Sequence, residues 1–175
     1  GTNSEATLYI NREEIASHKG GYSTWRADIT EALSRDEIST VLIKVDNKVT
    51  EEMYPCEMDF PNYGGVYRDV NIICVNNTHF DLEYYGSKGI KITPVISGNN
   101  ADVEIETFIK NIKPDQTLVY TIKSQEGDIL YTKEAAASDS KESITIEDVH
   151  LWHGTKDPYL YTAEVQIIED GNIID

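Results

Sequence analysis

The sequence predicts an all-β protein made of two successive sandwich modules. Three observations lead there: short runs in which apolar and polar residues alternate, clusters of Gly, Pro, Asn and Asp between those runs, and no alternating pattern of strand and helix anywhere in the chain. Successive side chains of a strand point to opposite faces, so a half-buried strand shows a period of two. At 175 residues the chain has room for one large domain or two small ones. Hydrophobic residues make up 39% and charged residues 26%, the composition of a folded protein and not of a disordered tail.

The alternation predicts strands over residues 6–10, 25–29, 41–45 and 66–75. Turn signals separate them at Asn11-Arg12-Glu13, Gly20-Gly21 and Asp46-Asn47, and Asp28 precedes one short helical turn at residues 29–33. After the polar tripeptide Asn76-Asn77-Thr78 a second series starts, with strands predicted over residues 80–84, 90–95, 103–109, 118–122, 129–131, 144–146 and 161–167. Seven short strands split by Gly-Asn-Asn, Lys-Pro-Asp and Glu-Gly-Asp turns match the pattern of an immunoglobulin-like sandwich, without the Cys-Trp-Cys spacing of antibody domains. The module boundary is placed at residue 77, giving residues 1–77 and 78–175, and no helix longer than two turns is expected. Asn76-Asn77-Thr78 has the form of a glycosylation acceptor, but chance and turn chemistry are the better explanation.

Lys and Arg number 15 against 31 Asp and Glu, for a net charge of -16, which repels phosphate backbones and anionic membranes. Neither nucleic acid nor a membrane is therefore expected as a partner. The two cysteines, Cys56 and Cys74, are too few for a disulfide framework and read as free thiols. No apolar run nears the ~20 residues of a membrane span, and the first residues lack the basic and apolar regions of a signal peptide.

Catalytic signals are sparse. Hydrolysis by paired carboxylates needs two acids held together in a cleft, and 31 acids do not single out a pair. There is no Gly-x-Ser-x-Gly elbow, and His18, His79, His150 and His153 lie in strand or turn contexts without a nucleophile motif. Gly20-Gly21 and Gly64-Gly65 lack the spacing of a phosphate loop. The run from Asp59 through Phe60-Pro61-Asn62-Tyr63-Gly64-Gly65-Val66-Tyr67-Arg68-Asp69 to Val70 is different, joining acids, aromatics and glycines ahead of a strand. Such loops suit sugars, whose ring faces stack on aromatics while their hydroxyls bond to carboxylates and amides; packing into a core is the alternative.

That run, DFPNYGGVYRDV, is similar to the segment that closes the N-terminal sugar-binding domain of family 2 glycoside hydrolases, particularly the β-galactosidases. The opening GTNSEATLYINREEIASHKGGYSTWRADIT resembles the same domain, and LWHGTKDPYLYTAEV resembles a stretch near the end of the family's immunoglobulin-like second domain. Arg12 stands where the family often has Gly, which affects only the turn type.

The resemblance implies a partial jelly roll followed by an immunoglobulin-like sandwich. It implies a non-catalytic segment of a longer, retaining β-galactosidase acting on terminal β-galactosides, whose glutamates sit on a (β/α)₈ barrel outside this chain. The opening jelly-roll strands and the last strand of the second domain are expected to be missing. β-Glucuronidases and β-mannosidases share the architecture. Asn3 and Asp59 match positions that reach sugar hydroxyls, and Asp59 matches a sodium ligand; hard oxygen donors suit hard cations. No catalytic residue is expected within the chain. For the longer protein the resemblance implies sodium or magnesium, a carbohydrate substrate, the barrel as partner, homo-oligomerisation and the cytoplasm. Arg68 and Asp69 read as structural, Trp25 and Trp152 as core or interdomain anchors, and Asp157-Pro158 as the turn before a strand. The alternatives are a stand-alone carbohydrate-binding module, which the truncated first module argues against, and an immunoglobulin-like adhesion protein, which DFPNYGGVYRDV argues against.

Overall fold

The computed structural model describes residues 1–34, 37–51 and 63–175. The described chain is all-β, with fourteen strands paired only in antiparallel fashion and a single 3₁₀ turn at Tyr84–Gly86. It forms two compact units. The first comprises Gly1–Ile73 and Leu82–Ser87, the second Cys74–Asp81 and Lys88–Asp175.

In the first unit, β2 (Glu5–Ile10) lies between β3 (Glu13–Lys19) and β4 (Val41–Asp46), while β1 (Thr2–Asn3) pairs with β5 (Gly65–Val66). β2 buries Ala6, Leu8 and Ile10 on one face and leaves Glu5, Thr7 and Tyr9 on the other, the alternation its sequence shows. Asn11 and Arg12 link β2 to β3 as a two-residue turn with φ 51° and 75°. Positive φ at both positions is the type I′ signature, so Arg12 adopts the conformation a glycine would take without strain. The Asn11 side chain steadies this turn by accepting from the Thr40 N–H at 2.9 Å. The predicted helical turn is present: Leu33 N–H donates to the Ile29 carbonyl at 3.2 Å, and Asp28 accepts from Thr30 N–H at 2.8 Å.

Two predicted strands of this unit do not form ladders. Residues 25–29 are held by side chains instead: Trp25 Nε1 donates to Thr2 Oγ1 at 3.1 Å, and Arg26 donates to the carbonyls of Leu82, at 3.1 Å, and Ser87. Of residues 66–75 only Val66 is in a strand, because no described strand lies beside the rest.

The second unit is a sandwich. One sheet has the order β12-β8-β7 (Lys141–Ile146, Asn100–Thr107, Ile90–Ser97); the other has the order β11-β10-β13-β14 (Ile129–Ala136, Thr117–Lys123, Thr162–Glu169, Asn172–Ile173). β6 (His79–Phe80) and β9 (Ile109–Lys110) make a small extra pair. The inward residues alternate strictly: Ala101, Val103 and Ile105 on β8, Leu118, Tyr120 and Ile122 on β10, Val165 and Ile167 on β13, with Ile144 and Phe80 joining them. Tyr161, just ahead of β13, accepts from the His150 N–H at 2.8 Å, the back-bond to upstream backbone that immunoglobulin-like folds use at this corner. Gly89 has φ 71°, and a Cβ there would lie 2.6 Å from the Asp81 amide nitrogen, so the chain can pass only as glycine.

Several expectations shift here. The strand predicted over 80–84 ends at Phe80, because the 3₁₀ turn follows; β13 starts at Thr162; and β14 was not predicted. Trp152 is 63% exposed and no part of the core. Asn76 donates to the Ile174 carbonyl at 2.6 Å, and Thr78 is buried and donates to the Asn111 carbonyl, so the tripeptide is a structural junction. Cys74 is a free, exposed thiol, whereas Cys56 lies outside the described residues.

Two carboxylates brace the sandwich, Glu142 from one sheet to the other and Glu106 within the β12-β8-β7 sheet. Glu142, 7% exposed, accepts from Lys133 at 2.8 Å and from Tyr131 at 2.7 Å. Burial alone would raise its pKa, but these two donors outweigh burial and hold it below the usual value. Glu106 is gripped first by Lys91, at 2.5 Å, and then by Lys141, at 2.9 Å, and its pKa is lowered to about 2. A carboxylate whose folded pKa is depressed adds stability above its unfolded pKa and loses it as pH falls through the folded value. The melting temperature is therefore expected to fall steadily below pH ~4.5 down to about 2. Glu106→Gln should flatten the lower part of that decline, which thermal scans across this pH range would show; an unchanged slope would contradict the assignment.

Candidate functional site

The opening motif and the DFPNYGGVYRDV motif meet at one place in the first unit, through residues more than forty positions apart in sequence. β1 and β5 bring Thr2 opposite Val66 and Asn3 opposite Gly65, and the Tyr67 N–H donates to the Gly1 carbonyl at 3.0 Å. Tyr67 donates its hydroxyl to the Gly21 carbonyl, and Arg68 donates to the Tyr22 carbonyl at 3.1 Å, binding the Gly-Gly-Tyr loop to the same edge. Arg68 also lies 5.1 Å from the centre of the Tyr67 ring.

Asn3 is at the centre of this junction. Its Nδ2 donates to the Tyr63 carbonyl at 2.8 Å. A Cβ on Gly21 would fall 2.7 Å from Asn3 Oδ1, and one on Gly64 would fall 2.8 Å from the Asn47 side chain. The glycines therefore allow close packing of two asparagines, and Asn47, read in sequence only as part of a turn, is a neighbour that pattern reasoning missed. The Asn3 amide carries two N–H donors and an acceptor oxygen, of which the Tyr63 bond uses one N–H, so it has polar capacity with which to meet a ligand. Asp59 lies outside the described residues, so the two candidate residues are not placed together.

Beneath the junction, His18 stacks on Trp25 with ring centres 5.5 Å apart and planes 3° from parallel. Burial holds the His18 pKa below its usual value, opposed by a backbone hydrogen bond with Gly20, which favours the neutral ring as a packing element. Among the described residues no three His, Cys, Asp or Glu side chains converge as a metal site.

The third motif forms a braced loop in the second unit. His150 pairs with Asp157 at 2.7 Å and stacks on Tyr159 at 4.1 Å; Tyr159 donates to Glu126 at 2.9 Å; the Leu160 N–H donates to Gln125 at 3.1 Å. These bonds fix the Asp157-Pro158 turn ahead of β13.

The family model "Glycosyl hydrolases family 2" matches residues 88–175. Among curated proteins the chain is similar to a β-glucuronidase of Bacteroides fragilis, 29% identical over all of this chain and 26% of that protein. It is also similar to a β-galactosidase of Thermoanaerobacter pseudethanolicus, 27% identical over 97% of this chain and 23% of that protein. Among solved structures it resembles an FMN-binding β-glucuronidase from Faecalibacterium prausnitzii, with TM-score 0.89 and 36% identity over 99% of this chain and 27% of that one. A putative β-galactosidase from Bacteroides fragilis gives TM-score 0.90 and 31% identity over the whole chain and 28% of that structure. The chain thus spans about a quarter of the length of the proteins it matches. With the family model covering half of the chain and the structural likeness extending over both units, the chain belongs to family 2 of the glycosyl hydrolases.

Proposed function

We propose that the chain is a non-catalytic accessory segment of a longer family 2 glycosidase, supporting a catalytic domain and completing one wall of its sugar pocket. The observation that carries this is the match of the whole chain, both units included, to about a quarter of each relative. The acids support it too. Among the described residues the carboxylates with depressed pKa values are engaged by the protein itself: Glu106 by Lys91 and Lys141, Glu142 by Lys133, Glu164 by Lys123, Glu169 by Lys113, Asp46 by the Lys48 backbone, and Glu126 by its own backbone and Tyr159. A glycosidase needs instead two carboxyl groups about 5 to 10 Å apart facing a substrate cleft, one of them kept protonated by a raised pKa.

The longer protein hydrolyses a terminal β-glycoside, with β-galactosides and β-glucuronides as its two substrate classes, since relatives of both names stand at similar identity. Asn3 and Asp59 are its contributions to the sugar rim, and Asp59 is the residue suited to a sodium ion there. The purified chain should show no turnover of chromogenic β-galactoside or β-glucuronide. Turnover that survives repurification would refute the accessory role.

A further inference from the structure

In the second unit β11 ends one sheet and β12 ends the other, and the bonds from Lys133 and Tyr131 to Glu142 bridge these two edges at one end. Past Tyr131 a cavity of about 430 Å³ lies between them, within the ~300–1,000 Å³ of small-molecule pockets. Ile144 and Ile146 of β12 and Leu130 of β11 give it apolar walls, and three tyrosines, Tyr131, Tyr159 and Tyr161, give it aromatic ones. The rings are fixed by the protein. Tyr131 donates to Glu142 at 2.7 Å, Tyr159 stacks on His150 at 4.1 Å and donates to Glu126 at 2.9 Å, and Tyr161 stands edge-on to Tyr159 with ring centres 5.1 Å apart and planes at 66°. Walls ordered in advance lose little freedom when a ligand binds.

Polar capacity remains in both senses. Tyr161 accepts from the His150 N–H at 2.8 Å and keeps its own hydroxyl hydrogen to donate. Glu147 and Asp148 also line the cavity, and neither carboxylate has a hydrogen bond or ion pair within the chain. A cationic guest would use the carboxylates and ring faces but leave the Tyr161 donor idle; a purely apolar guest would leave all three polar groups unused. A pyranose uses every part: its C–H face packs on tyrosine and isoleucine, its hydroxyls donate to the two carboxylates, and one of its oxygens accepts from Tyr161. Two uncompensated acids repel a uronic acid. We infer that this cavity is a binding site for a neutral pyranose unit, such as a galactosyl or glucosyl residue of an oligosaccharide. It is built from the second unit alone and does not depend on the accessory role.

The test is NMR titration of the 175-residue chain with methyl β-galactoside, methyl β-glucoside and methyl β-glucuronide. The neutral glycosides should shift the ring signals of Tyr131, Tyr159 and Tyr161 and saturate in the millimolar range, with those of Tyr9 on β2 unmoved. Glu147→Gln combined with Asp148→Asn keeps both shapes and removes both charges, which should weaken binding about ten-fold, since charge-assisted hydrogen bonds are roughly twice as strong as neutral ones. Its melting temperature should hold, because neither carboxylate bonds within the fold and asparagine tolerates the φ of 46° at position 148. In the longer protein the same pair of changes should remove one glycoside site counted by calorimetry and leave kcat/KM unchanged. No response of the three rings overturns the inference, as does equal binding of the glucuronide, or a response to argininamide and to neither neutral sugar. Binding by the 175-residue chain with no site lost in the longer protein would give the cavity to the rest of the polypeptide and overturn it as well. A longer protein without glycosidase activity would reject the proposed function and leave this site standing.

Discussion

Tyr120→Ala is expected to destabilise the second unit by about 3–5 kcal/mol, the range for removing a large aromatic from a packed core. Tyr120 sits on the central strand β10, fully buried between the two sheets, where few side chains could shift to refill its volume. Its hydroxyl donates to the Asp139 carbonyl at 2.9 Å and lies 3.4 Å from Thr107 Oγ1, so burial is combined with a satisfied polar end. Desolvation raises its pKa, keeping the phenol neutral. Tyr120→Phe keeps the ring and should cost less, about 1–2 kcal/mol, for the lost bond and the unpaired carbonyl. Urea unfolding of the three proteins separates these terms, and a Phe variant as unstable as Ala would mean the hydroxyl, not the packing, holds this core.

In the longer protein, Asp59→Asn is expected to lower kcat/KM on its β-glycoside about ten- to a hundred-fold, the equivalent of a charged hydrogen bond worth about 1.5–3 kcal/mol in the transition state. Asparagine keeps the shape and removes the charge, so the melting temperature should hold. If Asp59 only caps its loop, asparagine still accepts the backbone bond and kinetics are unchanged. Asn3→Ala is a useful contrast. It removes the bond to Tyr63 that joins the two motifs, so stability should fall together with activity.

The central strands were legible because burial on one face imposes alternation directly: β2, β8, β10 and β13 follow their patterns nearly residue for residue. Elements whose structure depends on neighbours were not. Residues 25–29 alternate like a strand, but Trp25 donates to Thr2 of β1 and Arg26 to the Leu82 carbonyl, and no ladder forms. β11 extends through Lys133-Glu134-Ala135-Ala136, residues of high helix propensity, because pairing with β10 outweighs the few tenths of a kcal/mol per residue that propensity offers. β14 could have been found: Asp170 and Gly171, with φ 50° and 75°, form an Asp-Gly hairpin turn between Glu169 and Asn172. At the site, the motifs were visible in sequence, whereas the meeting of Asn3 with Tyr63, Gly21 and residues beyond depends on a two-residue ladder that no local pattern encodes.

The central claim is that this segment supports a glycosidase without being one, and a deletion series tests it most directly. Initial rates on chromogenic β-glucuronide and β-galactoside would be measured for the longer protein, for the 175-residue chain, and for the longer protein lacking these residues. The account predicts turnover of one of the two substrates by the longer protein, none by the isolated chain, and little or none once the segment is removed. Full activity after removal, or activity residing in the isolated chain, would contradict it.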